Sequence, residues 1–163
     1  MRSILSVLVE NRAGVLSRTA ALFARRGFNI ESLAVGEIED PSISRMTIVV
    51  EGDERVIEQV DKQLNKQIDV IKVKQLAAET STRRELALIK VRASAKTRAE
   101  IIDIALIMKS TIVDLSPSTL TIEICDRPER VRQLLCMLEP YGIAEMARTG
   151  MVALQKGGGG MAE

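Results

Sequence analysis

The succession of apolar patterns along the chain constrains its fold more than any single motif does. Ile4, Val7 and Val9 are spaced as in a β-strand, and a helical pattern then begins near Gly14 and ends at Gly27. Two arginines precede that glycine, as is usual in the last turn of a helix. The core-facing stripe of this helix is predicted to contain Leu16, Ala20 and Phe23.

The chain continues with two strands, a helix and a further strand. Residues 29–38 and 43–52 are predicted strands joined by a turn at Asp-Pro-Ser. Asp53 is a predicted helix cap, and residues 68–76 supply the fourth strand. The inward-facing residues of the helix between them are expected to be Val56, Ile57, Val60 and Leu64. This order is that of a ferredoxin-like fold, in which two helices cover one face of an antiparallel sheet.

The same order of elements recurs after an offset of roughly 80 residues, which indicates two copies of one domain rather than a solenoid. In the second copy Thr97 and Glu100 form a predicted capping box, and Pro128 follows a predicted cap at the second helix. The inward residues of these helices are expected to be Ile101, Ile102, Ala105, Met108, Val131, Leu134, Leu135 and Leu138.

The predicted fold class is therefore α+β, with two tandem ferredoxin-like βαββαβ domains. We place the first domain at residues 1–76 and a polar linker at 77–84. The second domain follows at 85–155, and the glycine-rich end at 156–163 is expected to be a flexible tail.

The composition removes most catalytic chemistry. The chain has 163 residues, a formal net charge of +1 and no histidine, so it lacks the commonest general base near neutral pH and the usual zinc ligand. Its aromatic residues, Phe23, Phe28 and Tyr141, are too few for a surface that stacks nucleic-acid bases. We therefore predict no catalytic residue, no metal site and no nucleic-acid partner.

The terminus and the cysteines bear on the cellular compartment. The segment MRSILSVLVE reaches a glutamate too early for the apolar core of a signal peptide, and no apolar run approaches the roughly 20 residues that cross a bilayer. Cys125 and Cys136 lie on a predicted strand and a predicted helix. Two reduced, partly packed thiols in a cytoplasmic protein without a membrane partner are expected.

The turn after the first strand, Asn-Arg-Ala-Gly, has almost no reactive side chain but leads directly into a helix. Unpaired amides and the helix dipole at Gly14, Val15 and Leu16 can hold a carboxylate, and Gly14 lets a ligand approach the backbone. Asn11 offers a donor and an acceptor to an amino acid. It is equally suited to an Asx turn or a helix cap.

Asn29 and Ile30 follow the glycine that ends the helix. Asn29 lies where a second subunit could set a polar group against the first turn, although an asparagine there is also common loop chemistry. Ile30, Val15 and Leu16 could line a pocket for an aliphatic side chain or belong to the core.

A phosphate site is less favoured by the same segment. Neither G-x-x-x-x-G-K-[ST] nor G-x-G-x-x-G occurs, and Arg12 is the nearest basic residue to the turn. We interpret Arg12, Arg25 and Arg26 as solvated surface charges.

Two long segments identify a family resemblance. They are ILSVLVENRAGVLSRTAALFARRGFNIESLAV and DPSISRMTIVVEGDERVIEQVDKQL, in which GFNIESL and SRMTI are the most specific parts. With them the chain resembles the regulatory, or small, subunits of acetohydroxyacid synthase, also called acetolactate synthase. The resemblance spans nearly the whole chain, from a ligand-binding domain of the ACT type to a related second domain, in which RELALIKVRA and ARTGMVAL match best.

The resemblance implies a non-catalytic chain that binds and activates a catalytic large subunit and makes it sensitive to valine or other branched-chain amino acids. Thiamine diphosphate, Mg and FAD are then expected in that large subunit, and no cofactor in this chain. The family further implies a homodimer through the ACT domain, with the effector at its interface. By position, the effector would be held by Asn11, Ala13, Gly14, Val15 and Leu16 of one subunit and by Asn29 and Ile30 of the other.

Two other classes remain as alternatives. A small acylphosphatase-like enzyme shares the order of elements and uses an arginine and an asparagine, for which Arg12 and Asn11 are candidates. Arg12 does not, however, lie in the glycine-rich anion cradle that such chemistry needs. An amino-acid-responsive transcription regulator would need a helix that reads DNA, and no basic recognition helix is predicted beside the two domains.

Overall fold

The computed structural model describes residues 2–161, which form two compact units. The first unit comprises the chain up to Thr82 together with the segment from Met151 onward, and the second is Arg83–Gly150. A separate four-stranded sheet is built by each half of the chain. None of the helices within residues 2–161 has the length and apolar content that crossing a bilayer requires.

The first unit follows the predicted order of elements. These are β1 (Arg2–Glu10), α1 (Val15–Arg26), β2 (Ile30–Glu37), β3 (Ile43–Glu51), α2 (Glu54–Leu64) and β4 (Val70–Leu76). The strands are arranged in the order β2-β3-β1-β4, and each neighbouring pair is antiparallel. The ferredoxin-like fold predicted for the first domain is confirmed.

The main core of the first unit lies between its sheet and its two helices. The inward residues predicted for α2 are confirmed, because Ile57, Val60 and Leu64 are buried there and Val56 packs against them. The stripe predicted for α1 is wrong in part: Phe23 is buried, but Leu16 and Ala20 are exposed. The buried residues of α1 are Val15, Thr19, Leu22 and Phe23.

A buried threonine explains the shift of this stripe. Thr19 is 1% exposed, and its hydroxyl donates a hydrogen bond to Gln67 Oε1 at 3.3 Å. A polar side chain with such a partner can occupy the core face, whereas an apolar pattern assigns that face to Leu16. The effect is to leave Leu16 pointing toward solvent at the first turn of α1.

The other face of the first sheet is covered by the end of the chain. Ile4 alternates with the inward residues of β1, so it lies on the opposite face of the sheet. There it forms a small buried cluster with Leu76 and Ala153, against which Met151 packs. The last strand therefore contributes apolar residues to the first unit.

The segment predicted as a flexible tail begins with an anchored residue. The amide of Lys156 donates to the carbonyl of Thr80 at 2.8 Å, and its ammonium group donates to the carbonyl of Glu79 at 2.9 Å. Met161 is also buried. The end of the predicted tail, residues 162–163, lies outside the described residues.

The second unit is built from a second copy of the same arrangement. Its elements are β5 (Ser81–Arg92), α3 (Arg98–Ile107), β6 (Thr111–Leu115), β7 (Thr119–Asp126), α4 (Pro128–Leu138), a 3-10 turn (Glu139–Tyr141) and β8 (Ile143–Gln155). Residues 81–82 of β5 and 151–155 of β8 belong to the first unit. The strand order, β6-β7-β5-β8, matches that of the first sheet. The start of β5 at Ser81 falls within the predicted linker at 77–84, so part of that polar stretch is strand.

The core of the second unit contains the residues predicted for its helices. Ile101, Ala105, Met108, Val131, Leu134 and Leu138 are buried, and Ile102 and Leu135 are partly buried against them. The predicted tandem repeat is therefore confirmed at the level of packing as well as element order.

The three predicted helix starts differ in outcome. Pro128 is the first residue of α4, as predicted, but within the described residues no side chain caps that helix. Asp53 caps α2 as predicted, because its Oδ1 accepts the amide of Val56 at 2.9 Å. The capping box of Thr97 and Glu100 is wrong. Thr97 Oγ1 accepts the amide of Ser94 at 3.0 Å, and Glu100 accepts the hydroxyl of Tyr141 at 2.8 Å. Each side chain therefore makes a different hydrogen bond from the one that a capping box requires. The partner of Glu100 is distant in sequence.

Both cysteines lie on their predicted elements, but neither is partly packed. Cys125 of β7 and Cys136 of α4 are free and exposed. Cys125 follows the buried Ile124 on its strand and so points to the opposite face of the sheet. Cys136 lies between Leu134 and Leu138, off the inward stripe of α4. The expectation of partial burial is therefore wrong for both thiols.

The cap at Asp53 gives a stability prediction for the first unit. We expect Asp53→Ala to lower the free energy of unfolding by about 1 kcal/mol, because the amide of Val56 loses its acceptor. Urea unfolding followed by far-UV circular dichroism measures the change. Asp53→Asn is the control and should retain most of the stability, since an amide oxygen can also cap. Equal losses for both variants would mean that the charge, and not the cap, stabilises α2.

Candidate functional site

Asn11 fixes the turn between β1 and α1 to the tip of the β2–β3 hairpin. Its backbone amide donates to the carbonyl of Ser42 at 2.7 Å. Its side-chain amide donates to the carbonyl of Pro41 at 2.9 Å and to Glu37 Oε1 at 3.0 Å. No side chain caps α1, so Asn11 is not a helix cap. It holds the turn in place instead.

The hairpin tip that receives Asn11 is itself ordered by local hydrogen bonds. Asp40 Oδ1 accepts the hydroxyl of Ser42 at 2.7 Å and its amide at 2.9 Å. These two hydrogen bonds, the side-chain one first, hold the pKa of Asp40 below its ordinary value. The hydrogen bonds that Asp40 accepts therefore order Ser42, whose carbonyl accepts the Asn11 amide.

Gly14 turns the chain into α1 with a backbone conformation that favours glycine. Its φ is 86° and its ψ is −11°, in the left-handed region. The amide of Val15 donates to the carbonyl of Arg12 at 3.3 Å. Among residues 2–161, no hydrogen bond uses the amides of Leu16 or Ser17. Two donors at the positive end of the helix are thus open to an anion.

Arg18 adds a formal positive charge beside these amides. A Cβ atom placed on Gly14 would lie 2.9 Å from Arg18 Nη1. Arg18 is held by Asp69, whose Oδ2 accepts Nε at 2.8 Å and lies 2.8 Å from Nη2. The Asp69 side chain is only 12% exposed, so a mostly buried carboxylate holds the arginine. The guanidinium is therefore held beside Gly14, with 54% of the Arg18 side chain exposed to solvent.

Arg18 is not among the site residues predicted from the sequence. Its signal in the sequence is its spacing from Gly14, because residues four apart on a helix lie on the same face. Asp69 gave no comparable signal, since it is distant in sequence from the turn and lies just before β4. Glu37, Pro41 and Ser42, which receive Asn11, were likewise visible only as parts of a hairpin.

The other candidate residues of the turn differ in what they expose. Ala13 is exposed, and Leu16 has 45% of its surface exposed, so both can be reached from solvent. The Val15 side chain is buried in the core, with 3% exposed. The structure therefore brings Asn11, Ala13, Gly14 and Leu16 together around the open amides and turns the Val15 side chain away from them.

Asn29 and Ile30 are not part of this group within one chain. They lie beyond the C-terminal end of α1, whereas the turn lies at its N-terminal end. A helix of 12 residues, the length of α1, is about 18 Å long. Asn29 is exposed and Ile30 is half-buried at the start of β2, which is an edge strand of its sheet. A single chain does not unite the two halves of the predicted site.

Comparison with known proteins gives the family. A family profile described as the AHAS small subunit-like ACT domain matches residues 5–72, and one described as the small subunit of acetolactate synthase matches residues 84–157. The acetolactate synthase small subunit of Mycolicibacterium smegmatis is 52% identical over 153 residues, which cover 94% of this chain and 90% of that protein. The chain belongs to the acetolactate synthase small-subunit family.

Other members of the acetolactate synthase small-subunit family agree in sequence and in fold. A probable acetolactate synthase small subunit of Methanothermobacter thermautotrophicus is 50% identical over 155 residues, with 94% of this chain and 92% of that protein covered. The acetolactate synthase small subunit from Thermotoga maritima, known from a crystal structure, is 40% identical in sequence to this chain. The two structures superpose with a TM-score of 0.89 over 97% of this chain and 99% of that chain.

These similarities confirm the family resemblance that the sequence segments predicted. They place the chain among the small, regulatory subunits of acetolactate synthase. They give no support to an acylphosphatase-like enzyme or to a transcription regulator, and neither alternative is retained.

Proposed function

We propose that this chain binds a branched-chain amino acid, with valine as the leading candidate, at the turn before α1. We further propose that it binds and activates a catalytic large subunit and makes that subunit subject to feedback inhibition. One observation carries the proposal: the open amides of Leu16 and Ser17 lie beside the Arg18 guanidinium in a member of a regulatory-subunit family.

The polar groups at the turn suit the charged end of an amino acid. Two N–H groups at a helix N-terminus and a neighbouring guanidinium favour a carboxylate. The carboxylate of Glu37, held 3.0 Å from the side-chain nitrogen of Asn11, supplies a negative group for the ammonium. The exposed part of Leu16 offers apolar surface to an aliphatic side chain. A free amino acid satisfies all three kinds of group at once.

A homodimer would bring Asn29 and Ile30 to the same place. β2 is an edge strand, so the outer side of its backbone can pair with another strand. If β2 paired antiparallel with its copy about a two-fold axis at its centre, the partner's Ile30 would lie opposite Glu37, near Asn11. The pocket would then have the turn on one side and the partner's Asn29 and Ile30 on the other.

The chemistry of the complex would belong to the large subunit. We propose that this chain is not catalytic and that thiamine diphosphate, Mg and FAD are held by the large subunit. Valine at the dimer seam would favour one arrangement of the two subunits that the large subunit senses. Coupling between such sites is typically about 1–3 kcal/mol, which changes affinity roughly 5- to 150-fold.

Reconstitution tests the regulatory function directly. We expect the purified chain alone to form no acetolactate, and its addition to the purified large subunit to raise the rate several-fold. Valine should then lower the rate of the mixture while leaving the large subunit alone unaffected, because the effector site lies on this chain. Synthase activity of the isolated chain, or a mixture as insensitive to valine as the large subunit alone, would contradict the proposal.

A further inference from the structure

The second unit contains a cavity that the valine proposal does not use. It has a volume of about 460 Å³, is largely open to solvent, and has polar side chains on six of its eight lining residues, although most of the lining surface is apolar. Volumes of roughly 300–1,000 Å³ are usual for sites that bind small molecules. The polar lining residues are Arg92, Ser94, Thr97, Ser118, Thr119 and Tyr141.

This cavity lies at the same point of its domain as the candidate effector turn does in the first. It is formed where β5 ends and the chain turns into α3, as the first turn lies between β1 and α1. The amide of Ala93 donates to the carbonyl of Ser118 at 2.9 Å, tying the turn to the β6–β7 hairpin. Asn11 and Ser42 make the same hydrogen bond in the first unit, at 2.7 Å. The repeat has therefore placed a concave surface at an equivalent position.

The cavity has one positively charged side chain that lacks a partner. Arg92 is exposed, and within the described part of the chain its guanidinium makes no hydrogen bond or salt bridge. The Arg92 amide, by contrast, is fixed by a 2.8 Å hydrogen bond to the carbonyl of Gly142. The backbone of Arg92 is thus fixed at the edge of the cavity, whereas the N–H groups of its guanidinium remain free to bind a ligand.

Hydroxyl groups line the same cavity as this guanidinium. Ser94 Oγ and Thr97 Oγ1 are 3.2 Å apart and share one hydrogen bond, so one of the two can still donate outward. The hydroxyl of Ser118 makes no hydrogen bond within residues 2–161. A ligand with hydroxyl or carbonyl oxygens beside its charged group can use these hydroxyls, while its short carbon chain contacts the apolar part of the lining, which includes Ala93 and Ala144.

Tyr141 and Glu100 limit the charge of the ligand. The Tyr141 hydroxyl donates to Glu100 Oε2 at 2.8 Å, and this hydrogen bond raises the pKa of the phenol. The carboxylate of Glu100 therefore places a negative charge beside the cavity, where a multiply charged anion would be repelled. The guanidinium of Arg98, which follows Thr97, donates to the carbonyls of Ser116 and Pro117. Arg92 is the lining residue with a free guanidinium, and with Glu100 beside it a ligand with a single negative charge is favoured.

We propose that the cavity of the second unit binds a small hydroxy or oxo carboxylate, with Arg92 holding its carboxylate and the serine and threonine hydroxyls its other oxygens. Arg92 presents two parallel N–H groups that match the two carboxylate oxygens. This site is separate from the proposed valine site, and the two proposals can be tested independently.

Residue-resolved NMR on the full chain tests the proposal with L-lactate as the probe. Titration of the ¹⁵N-labelled protein should shift the amides of Ser94, Ser118 and Thr119 in a saturable way in the millimolar range. Lactamide has no negative charge, and inorganic phosphate has more negative charge than lactate. Both should bind at least about tenfold more weakly than lactate, as judged from the concentration at which these amide shifts are half complete. Shifts at Gly14 and Leu16 report the first unit separately, so a failure of one proposal is distinguished from a failure of the other.

Two variants and one control identify the residues responsible. Arg92→Gln should weaken lactate binding at least about tenfold, the effect of losing a charge-assisted pair. Ser118→Ala should weaken it less, and both should keep the amide spectrum of the folded chain because these side chains have no partners to lose. Arg132→Gln removes an equal charge from the exposed side of α4 and should leave binding unchanged.

Three results would overturn the proposed carboxylate site. The first is the absence of saturation below about 50 mM lactate, which corresponds to negligible affinity. The second is binding of lactamide or phosphate that equals or exceeds that of lactate. The third is equal behaviour of Arg92→Gln and Arg132→Gln.

Discussion

Gly14→Asp is expected to weaken valine binding at least about a hundredfold, because a built-in carboxylate would replace that of the effector and repel it. The new side chain would start 2.9 Å from Arg18 Nη1 and would lie beside the open amides of Leu16 and Ser17. All three donors could then be satisfied within the chain. Isothermal titration calorimetry with valine measures the affinity, and the reconstituted enzyme should lose valine inhibition while activation by this chain persists.

Two controls separate the introduced charge from backbone strain at Gly14. Gly14→Asn places a neutral side chain of the same shape at the same φ of 86° and should retain far more valine affinity. Gly27→Asp adds an acid at the other end of α1, where φ is 67° and no atom lies within 4 Å of the new Cβ. Full valine affinity in Gly14→Asp would refute the pocket assignment. Equal losses in Gly14→Asp and Gly14→Asn would instead attribute the effect to the backbone.

The fold was largely predictable because it depends on patterns that are local in sequence. The apolar periods of α2 and α4 identify their buried faces directly, and the caps and turns between elements carry their own residue signals. The errors arose where a long-range partner changed a local preference. Thr19 is buried because Gln67 accepts its hydroxyl, and Glu100 leaves its capping role because Tyr141 donates to it.

The candidate site was predictable only in its backbone part. Gly14 before an amphipathic helix indicates an open helix N-terminus from sequence alone. The guanidinium of Arg18 could not be placed from sequence, because Asp69, which holds it, comes from a segment that only folding brings near. Asn11 likewise had several possible roles until the hairpin carbonyl of Pro41 was seen to accept its side chain.

A buried ion pair in the second unit gives the other large predicted effect. Glu85 of β5 is only 5% exposed, and its two oxygens accept Nε and Nη2 of Arg148 on β8 at 2.5 and 3.0 Å. A carboxylate removed from water in this way depends on its partner for compensation. The Arg148 side chain is 40% exposed, so loss of the pair would leave the buried charge on Glu85 rather than on the arginine.

Arg148→Met should therefore lower the free energy of unfolding of the second unit by about 2–4 kcal/mol, slightly less than for a fully buried pair. Tyr141 is the only tyrosine and the chain has no tryptophan, so tyrosine fluorescence during urea unfolding reports this unit.

Lys90→Met is the matched control, since it breaks an exposed pair with Glu145 between the same two strands and should cost under about 0.5 kcal/mol. Adding Glu85→Leu to Arg148→Met should recover most of the stability, because no buried charge then remains. If Arg148→Met cost no more than Lys90→Met, the carboxylate of Glu85 would have to reach water, and the burial seen at the β5–β8 edge would not determine its energy.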